Sequence, residues 1–209
     1  MAGPQLVAFV DPMCSWCYGF EPVLEAIHAV HGEALPVRLI MGGLRPGTVA
    51  PMSPETKATI REHWSHVEKA SGQRFNYSFF DRPGFIYDTE PAARAVVTLR
   101  MRDEALALPA FAAVQRAFYA DNRDVTNDAV LADIAEELDV PRDDFLAAFH
   151  SEEARTETLS DFLIASRTGA TGFPTLIAGH ADGRPWVLIT EGFRPPGEVL
   201  NIIEMWRQG

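Results

Sequence analysis

The chain has 209 residues, 47% of them apolar, with 29 acidic against 18 basic side chains and a net charge of −11. That apolar supply suits one large domain, or one domain carrying an insertion, and excludes wholesale disorder. The acidic balance excludes nucleic acid and an anionic membrane surface as main partners.

The first residues, MAGPQLVAFVDP, carry no basic stretch. Their apolar run is too short for a signal peptide or a membrane span, so a cytoplasmic location is expected. Leu6 to Val10 is a short apolar run with two valines and a phenylalanine, which predicts a buried strand. Cys14-Ser15-Trp16-Cys17 follows. A helix beginning around Cys17 carries Phe20, Val23, Leu24, Ile27 and Val30 at helical spacing, and Gly32 stops it. Val37 to Met41 predicts a second strand, parallel to the first because a helix separates them. Gly42-Gly43 closes this β-α-β unit.

Residues 44–150 have a different texture. Pro46, Pro51 and Pro54 make an irregular lead-in, and Ser53-Pro54-Glu55 predicts a helix start that runs to about Ala70. Ser71 to Phe85 is a Gly/Pro/aromatic loop holding Phe75, Tyr77, Phe79, Phe80 and Phe85. It could line a substrate groove, but a small aromatic core is the favoured reading. Further helices are predicted from Thr89-Glu90-Pro91 through Leu99, over Pro109 to Tyr119, Asn127 to Leu138, and Arg142 to Phe149. No strand signal crosses this region, so it is expected to be an all-helical insertion domain.

Ser151 to Arg167 predicts a helix leading back to the sheet, and Thr171-Gly172-Phe173-Pro174-Thr175 a turn. Thr175 to Ala178 and Trp186 to Thr190 predict a hairpin around Asp182-Gly183. Pro196 to Arg207 is a final amphipathic helix. The expected fold class is therefore α/β, β-α-β … α-β-β-α, with residues 1–43 and 151–209 forming one domain and 44–150 an insert.

The chain has two cysteines, and they stand two residues apart at a predicted strand-to-helix junction. In a reducing compartment a structural disulfide is disfavoured, so the pair is read as a redox dithiol. Free backbone N–H groups at a helix start stabilise a thiolate at Cys14, and Cys17 lies one turn on, close enough to resolve a mixed disulfide. Cys14 as nucleophile needs to be exposed with a depressed pKa, and Cys17 is expected to be more buried. An inert thiol pair is the plain alternative. A zinc site of Cys14, Cys17, His63 and His66 is the metal alternative, but His-x2-His is short for zinc modules, so no metal is expected.

The order of elements, with Cys14-x-x-Cys17 after the first strand and Gly172-Phe173-Pro174-Thr175 before the third, resembles the thioredoxin fold with a helical insertion. It is similar to the DsbA-like thiol oxidoreductases, most of all the cytoplasmic FrnE-like branch. Asp11-Pro12-Met13-Cys14-Ser15-Trp16-Cys17 carries that resemblance, together with Tyr87-Asp88-Thr89-Glu90-Pro91-Ala92 and the Pro174 turn. The resemblance implies a thiol-disulfide oxidoreductase with Cys14 and Cys17 as catalytic pair. It also implies a cis Pro174 facing them and Phe173 offering backbone groups to an extended substrate. Trp16 is read as a shield and substrate contact, or as plain packing. Asp11 is read as a cap of the turn or a proton relay near Cys17.

No bound cofactor is implied, because the dithiol is the redox centre. Protein or peptide disulfides and thiols are the expected partners, with glutathione admitted as co-substrate. Ser15-Trp16 departs from the Pro-His of DsbA itself, so strong oxidant behaviour is not carried over. The alternative is a glutathione-dependent kappa-class transferase or hydroxychromene-carboxylate isomerase, in which a serine usually stands at the position of Cys14. A non-catalytic binding module that keeps the fold is the third reading.

Overall fold

The computed structural model describes residues 3–170, 172–180 and 185–208. Thr171 of the predicted turn and the Asp182-Gly183 hairpin turn lie outside the described residues. The elements run β1 (Pro4–Val10), α1 (Ser15–His31), β2 (Val37–Met41), α2 (Pro54–Ser71), α3 (Glu90–Arg102), α4 (Ala107–Tyr119), α5 (Asp128–Glu137), α6 (Arg142–Phe149), α7 (Glu152–Arg167), β3 (Thr175–His180), β4 (Val187–Glu191) and α8 (Pro196–Gln208). The β-α-β … α-β-β-α order and the helical insert are those expected from the sequence.

The four strands lie in the order β2-β1-β3-β4. β2 runs parallel to β1 because α1 carries the chain back over the sheet. β3 and β4 complete it antiparallel. Period-two alternation sends Leu6, Ala8, Val10, Leu39, Met41, Leu176 and Ala178 into the main core. Phe9 and Ile40 point to the second face, where they meet Ala165 of α7. One continuous apolar core joins the sheet, α1, α8 and the helices of 44–150.

Three local details differ from the sequence reading. α1 begins at Ser15 rather than around Cys17. A short 3-10 turn, Tyr77–Asp81, orders the aromatic loop. An isolated antiparallel bridge joins Pro51 to Ile86, where no pairing was expected. Pro22 sits inside α1 and has no N–H to give the Tyr18 carbonyl. The Gln73 side-chain amide supplies that bond at 3.2 Å, so the helix passes its proline without an unpaired carbonyl.

The aromatic loop is a core and not a groove. Trp64 is fully buried at its centre, with Phe75, Phe79, Phe80 and Tyr119 ring centroids 4.7–5.2 Å away. Aromatic pairs in offset and edge-on contact gain beyond their buried area, which explains how a loop rich in Gly and Pro stays ordered.

The insert also closes an open sheet edge. β2 is an edge strand, and an edge leaves backbone groups without strand partners. Arg100 of α3 reaches it and donates to the Leu39 carbonyl at 2.7 Å. The same guanidinium grips Asp161 of α7 through two bonds, 2.8 and 3.2 Å. Asp161 in turn accepts from the Met41 amide at 2.9 Å. Both side chains are almost wholly buried. A side-chain pair thus takes the place of a fifth strand.

Candidate active site

The site is built on the turn between β1 and α1. Asp11 makes it: its Oδ1 accepts from the Met13 amide at 2.9 Å, and its carbonyl accepts from the Cys14 amide at 3.0 Å. An aspartate bonding two residues ahead is the chemistry of such turns. The turn delivers Cys14 as the N-cap of α1, in extended conformation, and the Tyr18 amide closes the first helical bond on the Cys14 carbonyl at 3.0 Å. This local closure is why the helix starts two residues before the apolar pattern announces it.

Both cysteines are free thiols. Cys14 keeps only 7% of its surface, against the exposure expected from its role, and Cys17 keeps none. The loop before β3 covers Cys14. The Phe173–Pro174 peptide bond is cis, and the Cys14 thiol donates to the Phe173 carbonyl at 3.5 Å. Cys17 accepts from the Asp11 backbone N–H at 3.5 Å. Burial, with the neighbouring Cys14 thiol, pushes the Cys17 thiol well above its usual range. The two sulfurs thus stand in different surroundings: Cys14 at the rim and Cys17 sealed within.

Asp11 is fully buried, and burial pushes its carboxyl up to about 6. Amide donation from Leu44 and Met13 holds it from rising further. The Leu44 bond is 2.8 Å and ties the loop after β2 to the turn. Trp16 is half-buried and faces Phe193, with ring centroids 5.9 Å apart. The Gly192 amide donates to the Pro174 carbonyl at 2.7 Å, which brings Phe193 to this rim.

The structure therefore gathers Asp11, Cys14, Trp16, Cys17, Phe173 and Pro174 in one place. The members of the zinc reading are not gathered: His63 and His66 are exposed on α2, while the cysteines are buried. Among the described residues no group of three His, Cys, Asp or Glu is placed to hold a metal.

Two supports escaped the sequence reading. Tyr87, from the insert, donates its hydroxyl to the Met13 carbonyl at 2.7 Å and pins the turn from behind. Its neighbours anchor the loop after β2: Thr89 Oγ1 accepts from the Arg45 amide at 3.0 Å, and Asp88 accepts from the Gly47 amide at 2.8 Å. The string Tyr87-Asp88-Thr89 was visible in the sequence, but no spacing rule shows that it touches residues 13 and 45. Tyr87→Phe is expected to cost about 1–2 kcal/mol in chemical denaturation, because the buried Met13 carbonyl loses its donor.

Gly42 is the second support. A Cβ there would stand 2.2–2.6 Å from three atoms of the Phe173 ring. Only glycine lets the ring lie against the end of β2, so the Phe173 carbonyl can reach Cys14. Gly42→Ala is expected to displace Phe173 and lower thiol–disulfide exchange at least about tenfold, a misplacement effect of modest size. Unchanged exchange kinetics in this variant would mean that the position of Phe173 is immaterial.

The chain belongs to the DSBA-like thioredoxin domain family, which it matches over residues 5–192. A Nitrosomonas europaea structure, provisionally named a protein disulfide isomerase, is 39% identical, with a TM-score of 0.91 over 99% of this chain and 98% of that one. The cytosolic disulfide reductase DsbM of Pseudomonas aeruginosa is 27% identical, with a TM-score of 0.79 over 98% of each chain, and has also been solved with GSH. The ClpXP adapter protein SpxH of Bacillus subtilis is 23% identical over 92% of this chain and 62% of that protein. The chain thus spans about three fifths of the length of the curated relatives it matches. Among the described residues no helix is long and apolar enough to cross a membrane.

Proposed function

We propose that this member of the DSBA-like family is a cytosolic thiol-disulfide oxidoreductase of the FrnE-like kind, whose Cys14/Cys17 dithiol reduces disulfides in proteins or small thiols. The observation that carries this reading is the placement of two free thiols, one at the rim and one sealed, under the carbonyl of Phe173. The 27% identity to a cytosolic disulfide reductase supports the direction, and its structure with GSH supports glutathione as the thiol that restores the dithiol.

In the proposed cycle the Cys14 thiolate attacks one substrate sulfur. A Cys14–substrate disulfide forms, and the other substrate sulfur leaves as a thiol. Cys17 then loses its proton and attacks Cys14, freeing the second substrate thiol. The substrate disulfide gains two electrons and two protons, and the pair is left as a Cys14–Cys17 disulfide. Two glutathione thiols return it to the dithiol and become glutathione disulfide. Phe173 offers its backbone, and Trp16 with Phe193 walls the rim. The serine that usually stands at this position in the isomerase alternative is replaced by Cys14 here, which favours the dithiol reading.

Asp11 is assigned the Cys17 proton, because Cys17 is held protonated by burial and Asp11 is the buried acid beside it. Resolution of the mixed disulfide is then expected to follow an apparent pKa near 6, and Asp11→Asn is expected to flatten that profile. The same group sets a stability trend of known sign. Its carboxyl titrates near 3.8 when unfolded and about 6 when folded, so the folded state holds the proton more tightly. That contribution is complete below about pH 4 and is lost as pH rises through 6. The cost by pH 7 is on the order of 3 kcal/mol. Denaturant titrations from pH 4 to 7 should show the fall in the native protein and a shallower one in Asp11→Asn.

Equilibration with a glutathione series tests the function. A reversible two-electron transition is expected at or below the cytosolic poise of roughly −220 to −260 mV. It is expected to vanish in Cys14→Ser. No transition, with unreactive thiols, overturns the redox reading; a potential far above that poise overturns the direction.

A further inference from the structure

The surroundings of the dithiol include a cation that the exchange cycle does not use. Arg45 belongs to the loop after β2, one residue beyond Leu44, whose amide bonds the Asp11 carboxylate at 2.8 Å. The Arg45 guanidinium lies over the ring of Tyr87, 5.4 Å from its centroid. That ring ends in the hydroxyl that holds the Met13 carbonyl at 2.7 Å. One aromatic ring thus stands between Arg45 and the residue before Cys14. Arg45 itself is exposed.

Its backbone is held on three sides. The Arg45 amide donates to Thr89 Oγ1 at 3.0 Å. Its carbonyl accepts from the Thr89 amide at 3.3 Å and from Thr48 Oγ1 at 3.0 Å. Pro46 follows and narrows the conformations open to residue 45. The acid of this loop contact, Asp88, turns its Oδ1 to the Gly47 and Glu90 amides, at 2.8 and 3.1 Å. Among the described residues the Arg45 guanidinium forms no ion pair, and its neighbour is an aromatic face. A guanidinium held in this way is free to take a carboxylate through parallel N–H···O bonds. In a chain of net charge −11, which repels anions at long range, a cation placed here is what lets an anionic thiol dock.

We infer that Arg45 is a specificity contact for the small thiol that reduces the oxidised pair, and that it selects a thiol bearing a carboxylate within a residue or two of its sulfur, as a short cysteinyl peptide does. The inference rests on the redox reading and deepens it. Cys14 keeps only 7% of its surface, so it admits a sulfur on a slender stem, and the groups that tell one thiol from another must stand around it. The first thiol loses its proton and attacks Cys14. A mixed disulfide forms, and Cys17 leaves and takes up a proton. A second thiol then attacks the bound sulfur, an external disulfide forms, and Cys14 leaves as a thiol. Two thiols thus give two electrons and two protons to the pair, while Arg45 holds the carboxylate of the first.

Stopped-flow reduction of the oxidised full chain by glutathione and by glutathione diethyl ester tests this. The ester keeps the thiol and loses both carboxylate charges. The readout is the ratio of the two second-order rate constants, glutathione over ester, which cancels any general change in the fold or the dithiol. Arg45→Gln is expected to lower that ratio roughly three- to tenfold, the scale of a charged hydrogen bond at an exposed site. Arg45→Glu is expected to lower it further. Arg45→Lys is expected to keep part of it, since the charge stays and the fork is lost. Added salt is expected to lower the native ratio and leave that of Arg45→Gln nearly constant. A ratio equal in native protein and Arg45→Gln overturns the inference and leaves the redox reading standing. An oxidised pair that neither thiol reduces overturns both.

Discussion

Cys17→Ser protein mixed with a peptide or glutathione disulfide is expected to accumulate a stable adduct at Cys14, visible by intact mass. Cys14→Ser is expected to form none and to lose turnover by at least about a thousandfold, the scale on which loss of an activated nucleophile acts. The asymmetry follows from burial. Cys14 retains a little surface at the rim, whereas Cys17 retains none and is held protonated. An incoming disulfide therefore meets Cys14 first, and without Cys17 nothing within reach can expel it. Equal adduct formation in both variants would reject these assignments, since it would require Cys17 to be open to substrate. Stoichiometric adduct in Cys14→Ser alone would reverse them.

The second large effect concerns stability. Arg100→Met and Asp161→Leu are each expected to lower unfolding free energy by about 3–5 kcal/mol, because the first leaves buried Asp161 without its cation and the second leaves buried Arg100 only the longer 3.4 Å contact with the partly exposed Glu157. Ordinarily, replacing both members of a buried pair with apolar residues restores much of the loss. Here it is expected not to. The Leu39 carbonyl and Met41 amide depend on the same two side chains, and the double variant leaves both unpaired at a covered edge. Urea denaturation of the native, single and double proteins gives the cycle. A double variant as stable as the native protein would show that the β2 edge finds other partners. Losses that simply add would show that the two residues act independently.

The dithiol itself was legible because its signal is local. Two cysteines two residues apart, after an apolar strand and before an amphipathic helix, need only spacing and periodicity to be recognised. The same holds for the β-α-β start and the Phe173-Pro174 turn. The start of α1 was missed by two residues because the periodicity of apolar side chains marks buried positions, while the turn made by Asp11 sets the first helical residue. Cys14 was expected at the surface because a nucleophile must be open to its substrate. Its cover comes from Phe173, 159 residues away, and no local pattern reports that.

The sequence by itself determined the element order, the pairing of two cysteines at the β1–α1 junction, and the composition of the aromatic core. These rest on interactions between near neighbours: hydrophobic periodicity, turn chemistry and cap residues. Tertiary structure alone decided which distant groups complete the site and the fold. Tyr87 on the Met13 carbonyl, Leu44 on the Asp11 carboxylate, Phe173 against Gly42, and Arg100 with Asp161 on the β2 edge are all of this kind. Each satisfies a buried polar group or fills a gap left by a missing side chain. Such needs arise only once the chain has closed, so a residue's type shows that it can meet one, and only its place in three dimensions shows which.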